Sequence, residues 1–238
     1  MKLIGYLSLG YPNIKKTIDI ARVYIESGID VLEIDMPSKN PYLDSEFIRN
    51  RMLKALEVSS DYNEYMDAVL YIKDKYPNQE VFILCYEETV KEIGVSKFIN
   101  FMNEANIENM IYVGGNDKTI KKRLIKGNIR LASYIPLNLN EEDLDASKLS
   151  NGFIYLQAKS DDINPKYPTL KDVIYYLKDN EGKNKKIYCG VGVKTLMDAK
   201  LVKDAGADGV FVGSTFLKLH SDIEKLKSTI KEFKKIID

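Results

Sequence analysis

Short apolar runs alternate along the chain with stretches whose apolar residues recur every three or four positions, the pattern of strands separated by amphipathic helices. Eight runs read as strands: 3–8, 31–35, 81–85, 110–113, 129–135, 152–157, 186–189 and 209–212. Helical spacing appears in Ile14, Ile18, Ala21, Val23 and Ile25 before Gly28, and in Met66, Val69, Leu70 and Ile72 before Pro77. It recurs in Phe98, Ile99, Met102 and Ala105, and in Leu196, Ala199, Leu201 and Val202 before Gly206, each stretch closing near a glycine, proline or asparagine. Segment 46–58 reads as an extra helix. Eight βα units without a composition break predict an α/β protein, a (β/α)8 TIM barrel in a single domain over 1–238. An open parallel sheet has the same strand count.

The stretch from Val31 to Asp44 breaks the pattern in a way that points to chemistry. Val31, Leu32, Ile34 and Met36 describe a strand buried on both faces, and Glu33 and Asp35 interrupt it at a cost in desolvation. A buried carboxyl shifts its titration toward neutrality and can then give and take a proton, which makes Glu33 a candidate general acid/base. Pro37 and Pro41 bracket Ser38, Lys39 and Asn40, ending the strand in an open loop that returns Asp44 to its carboxyl end. A pairing of Glu33 or Asp35 with a cation on a neighbouring strand accounts for the same pattern.

Lys plus Arg and Asp plus Glu number 35 each, so no net field attracts nucleic acid or an anionic membrane. Cys85, Cys189 and the lone His220 have no metal-ligand spacing, and no metal or cofactor is expected. The start, MKLIGYLSLGYP, is too short for a signal segment, and no apolar run approaches a membrane span, so a cytoplasmic protein with reduced thiols is expected.

A barrel carries its chemistry at the carboxyl ends of its strands. Gly190-Val191-Gly192 after the seventh strand and Gly213-Ser214 after the eighth suit a phosphate held by backbone N–H groups. Tight βα turns need glycines in the same places. The turn Gly114-Gly115-Asn116-Asp117 after the fourth strand reads either as a phosphate nest or as plain turn chemistry. Residues 158–168, with Asp161, Asp162, Asn164, Pro165 and Pro168, are expected to form a mobile loop.

GYLSLGYP near the start, LEIDMPSKNPYLD, Leu84-Cys85-Tyr86, GFIYLQA, CGVGVKT and ADGVFVGSTFLK occur in an order that resembles the tryptophan synthase alpha chains, which are indole-3-glycerol-phosphate lyases. The resemblance implies retro-aldol cleavage of indole-3-glycerol phosphate to indole and glyceraldehyde 3-phosphate, in tryptophan biosynthesis. It makes Glu33 the proton-shuttling glutamate and Asp44 the aspartate facing the indole N–H. Tyr6, Leu84, Tyr86 and Tyr155 then line the indole pocket, and Gly192, Gly213 and Ser214 hold the phosphate. A beta chain is the implied partner, in an α2β2 complex.

The departures are local. The family's Pro-Phe-Ser-Asp-Pro in the second loop, which faces the beta chain, is here Pro37-Ser38-Lys39-Asn40-Pro41, and a following Gly-Pro is Ser45-Glu46. Its Gly-Val-Thr-Gly lid is replaced by residues 159–165, and its Asp-x-Pro after the fourth strand by Gly114-Gly115-Asn116. The alternative to the lyase is therefore a diverged paralogue that binds a phosphorylated metabolite or a beta-type partner, with weak or different lyase or isomerase activity. Lys159, at the end of the sixth strand, is a further candidate as a Schiff-base lysine.

Overall fold

The computed structural model describes residues 1–114, 117–180 and 185–238, so Gly115 and Asn116 of the turn after the fourth strand lie outside the described residues. The chain forms two compact units, Tyr6–Leu131 in one and Met1–Gly5 with Ala132–Asp238 in the other. Strand β1 (Lys2–Ser8) begins in the second and ends in the first.

Within Tyr6–Leu131 the elements after β1 are α1 (Ile14–Glu26), β2 (Val31–Asp35), α2 (Glu46–Val58), α3 (Tyr62–Lys75), β3 (Glu80–Tyr86), α4 (Glu87–Ile93), α5 (Val95–Glu104), β4 (Asn109–Val113), α6 (Lys118–Lys126) and β5 (Arg130–Leu131). The strands lie in the order β5-β4-β3-β2-β1, and the β2–β3, β3–β4 and β4–β5 pairs are parallel, with Glu33 beside Phe82, Asp35 beside Leu84 and Tyr86 beside Val113. Side-chain oxygens of Asn13, Ser45, Asp61 and Asp117 accept backbone N–H bonds at the starts of α1, α2, α3 and α6, satisfying donors the helices leave open. The extra helix expected over 46–58 is α2. Helix α4 follows β3 with no intervening loop, and its seven residues are too few to show a period.

In the other unit come β6 (Ser133–Ile135), α7 (Glu141–Lys148), β7 (Ile154–Gln157), α8 (Leu170–Asn180), β8 (Ile187–Gly190), α9 (Leu196–Asp204), β9 (Gly209–Val212), α10 (Ser214–Leu217) and α11 (Ile223–Ile237). Their order is β1-β9-β8-β7-β6, again parallel, with Lys2–Gly5 of β1 in register with Gly209–Val212. The fifth strand expected over 129–135 is two segments on either side of Ala132: Arg130–Leu131 pairs with β4 and Ser133–Ile135 with β7. Residues 158–168 contain neither helix nor strand.

Candidate active site

Alternation along the pleat places Tyr6 and Ser8 of β1, Glu33 and Asp35 of β2, and Phe82, Leu84 and Tyr86 of β3 on one face of Tyr6–Leu131. Glu33 is 2 % exposed, and among the described residues no hydrogen-bond donor or cation is paired with its carboxyl. Burial pushes the Glu33 carboxyl well above the usual carboxylate range, and the like charges of Asp44 and Asp35 push the same way. The cation-paired alternative for Glu33 is thus not what the fold adopts.

Asp35 is 0 % exposed but fully provided with donors. Its carboxylate accepts the Leu9 N–H at 2.6 Å, the Tyr6 hydroxyl at 2.8 Å and the Ser8 hydroxyl at 3.4 Å. Burial raises it to about 7 against the lowering effect of the Leu9 and Tyr6 bonds. The hydroxyl of Tyr6, a residue assigned to the indole pocket, is thereby spent on Asp35, while Leu84 lies buried beside Asp35 across the strand pair.

The loop after β2 is held at both ends. The Pro37 carbonyl accepts the Tyr62 hydroxyl at 3.1 Å and the Thr89 hydroxyl at 3.4 Å, and Lys39 is ion-paired with Glu92. Asp44 N–H closes a turn on the Pro41 carbonyl at 3.2 Å, and the Asp44 carboxylate accepts the Tyr86 hydroxyl at 2.5 Å. Tyr42 sits edge-on to the Tyr86 ring, with centroids 5.4 Å apart. Burial raises the Asp44 carboxyl, while the Tyr86 bond and the Arg49 charge oppose the rise.

In the unit of Met1–Gly5 and Ala132–Asp238, the Tyr155 ring stacks on Phe211 at 4.3 Å and meets Tyr134 edge-on at 5.9 Å. Gly190 lies so close to these rings that a Cβ there would come within 2.4 Å of Tyr155 and 2.9 Å of Phe211. Gly192 has φ +99°, and its Cβ would fall 2.8 Å from Cβ of Lys159. Lys159, raised as a Schiff-base candidate, is ion-paired with Asp198. Asp198 also accepts the Lys194 and Thr195 N–H groups at 2.8 Å each and closes a capping box with Thr195, and these bonds outweigh its burial and lower it to about 2.

Gly213 precedes α10, its carbonyl accepting the Phe216 and Leu217 N–H groups, and Ser214 opens that helix half-buried. The Thr215 hydroxyl donates to the Lys194 carbonyl at 2.9 Å, tying the loops after β8 and β9 together. Asp162 is engaged by the Asn138 side-chain amide at 2.7 Å.

The sequence-assigned residues thus fall into two sets. Tyr6, Glu33, Asp44, Leu84 and Tyr86 belong to one unit, and Tyr155, Gly192, Gly213 and Ser214 to the other. The donors on Asp35 and the tie between Lys159 and Asp198 escaped the sequence reading. Only the second left a local signal, a threonine three residues before an aspartate at the start of α9.

Comparison with known proteins bears on the family and the fold. A family model described as tryptophan synthase alpha chain matches residues 1–237. A tryptophan synthase alpha chain of Methanopyrus kandleri is 24% identical over 245 residues, covering 98% of this chain and 86% of its own. That of Antithamnion sp. is 28% identical over 252 residues, covering 98% and 92%. The crystal structure of tryptophan synthase subunit alpha from Legionella pneumophila superposes with a TM-score of 0.83 at 20% identity, covering 100% of this chain and 92% of that one. This likeness shows the fold, a (β/α)8 TIM barrel. On the match of the family model to almost its whole length, the chain belongs to the tryptophan synthase alpha chain family.

Proposed function

We propose that the protein is a carbon–carbon lyase that cleaves indole-3-glycerol phosphate to indole and glyceraldehyde 3-phosphate. The observation that carries the reading is Glu33, a carboxyl buried without a hydrogen-bond donor or cation among the described residues, on the strand whose following loop presents an oriented Asp44. Such a carboxyl holds its proton more tightly than an ordinary glutamate and can deliver it. In the cleavage, Glu33 protonates the indole ring carbon that bears the side chain and then accepts the side-chain hydroxyl proton. The bond between the ring carbon and the side chain breaks, and the carbinol becomes the aldehyde. Asp44 faces the ring N–H and stabilises the positive charge that develops there, its geometry fixed in advance by Tyr86. Tyr6, Leu84, Tyr86 and Tyr155 contact the indole, and the backbone at Gly192, Gly213 and Ser214 takes the phosphate. No cofactor enters the reaction.

The beta chain of tryptophan synthase is the proposed partner, in an α2β2 complex. The second loop and the start of α2 expose Tyr42, Leu43 and Phe47, apolar side chains suited to burial against another protein. No helix among the described residues is long and apolar enough to cross a membrane. Free, buried Cys85 and Cys189 suit a reducing cytoplasm.

Indole release from indole-3-glycerol phosphate, with and without an added beta chain, tests the reading. Glu33→Gln is expected to abolish release while leaving phosphate-ligand binding intact, since each general acid–base step is worth roughly 10²–10⁴ in rate. Asp44→Asn is expected to lower turnover through loss of charge stabilisation. The pairing of Lys159 with Asp198 beside Gly192, where the family has its lid glycines, favours one second reading, a paralogue acting on another phosphorylated metabolite. Absence of indole release by the wild type under both conditions selects it.

A further inference from the structure

Two carboxyls share the buried face of β2, and the protein treats them differently. Asp35 receives three hydrogen-bond donors, from Leu9, Tyr6 and Ser8, whereas Glu33 has none among the described residues. Being two residues apart on one strand, they point to the same side, and two like charges this close in a dry setting do not both ionise readily. The donors decide which one does. A carboxylate that accepts a backbone N–H and a phenol is stabilised as the anion, and the other is left as the acid.

We propose that Asp35 is a positioning residue for the lyase reaction: an anion fixed by Leu9, Tyr6 and Ser8 whose charge keeps the Glu33 carboxyl in its proton-donating form. This rests on the assignment of Glu33 as the acid/base. The remaining charged and titratable groups around the pair sharpen the division. Arg51 on α2 favours the anionic form of Asp35, while Asp44 from the loop after β2 adds negative potential at both carboxyls. Arg49 acts on Asp44, and Tyr86 on β3 donates to Asp44. Tyr6 on β1 and Cys85 on β3 are held neutral by burial, with Asp35 contributing to both.

The test follows the two carboxyls separately, by ¹³C NMR of the ligand-free protein across pH. In the wild type, Asp35 is expected to ionise first, near 7, and Glu33 after it. In Asp35→Asn, the Glu33 midpoint is expected to fall by about one pH unit or more, the size of a close like-charge effect. The alkaline limb of the indole-release profile should move down with it. A role confined to tying β1 to β2 would lower stability and leave the Glu33 midpoint where it is. Ionisation of Glu33 before Asp35 in the wild type, or an unmoved Glu33 midpoint in folded Asp35→Asn, overturns the proposal. The wild-type order decides the matter even where the variant does not fold. Failure of indole release with the expected titration order would instead count against the lyase reading alone.

Discussion

At the scale of single residues, the buried carboxyls to which the proposed chemistry is assigned also set how stability depends on pH. Asp35 titrates at about 7 in the fold against 3.8 for an ordinary aspartate, so its contribution is fully present below about pH 4. It is lost as pH rises through 7. At about 1.36 kcal/mol per unit, this buried group removes roughly 4 kcal/mol across that window, and raised Glu33 acts with the same sign. Asp198, lowered to about 2, works the other way: its contribution is present above about pH 4 and lost as pH falls through 2. Urea midpoints are therefore expected to decline between pH 5 and 8, and Asp35→Asn to flatten that decline; an unchanged slope in the variant would contradict the assignment. Glu33 and Asp44 were legible in the sequence because a carboxylate inside an apolar strand and another behind a proline-bracketed loop stand out locally. The donor set of Asp35 was not, because its partners Tyr6, Ser8 and Leu9 lie on a different strand or just beyond it, 26 to 29 residues away.

At the scale of elements, the turns after β8 and α9 contain glycines with the same backbone hand and different surroundings. Gly206, φ +86°, follows α9 with nothing within 4 Å of a Cβ, whereas Gly192, φ +99°, follows β8 with Lys159 in the way. Gly206→Ala should cost about 1 kcal/mol, the expense of a left-handed backbone alone. Gly192→Ala should cost more, and should also weaken phosphate-ligand binding by moving Lys159 off Asp198. Thermal unfolding and phosphate titration of the two variants measure this, and equal losses would show that the approach to Lys159 is immaterial. Helices with a long apolar period, such as α1 and α5, and the extra helix α2, could be read directly from spacing. Helix α4 could not, and neither could the break at Ala132, since a run of apolar residues does not reveal that its two ends pair with different strands.

At the scale of the whole molecule, the alternation of strands and helices was sufficient to read the parallel α/β class, but it carries no information on how the chain divides into compact units. We propose that residues 1–238 fold as a single domain. Far-ultraviolet circular dichroism and tyrosine fluorescence, with 16 tyrosines reporting, are expected to show one coincident urea transition; two separated transitions would refute it. The ground for this expectation is β1, whose residues 2–5 pair with β9 while residues 6–8 belong to Tyr6–Leu131. It follows that the chain has no clean seam. A polypeptide severed between Leu131 and Ala132 would leave the carboxyl-terminal piece without the strand that covers Gly209–Val212, and that open row of backbone groups would invite pairing with another copy. During synthesis the same row has its partner waiting, because β1 leaves the ribosome before the strand that needs it.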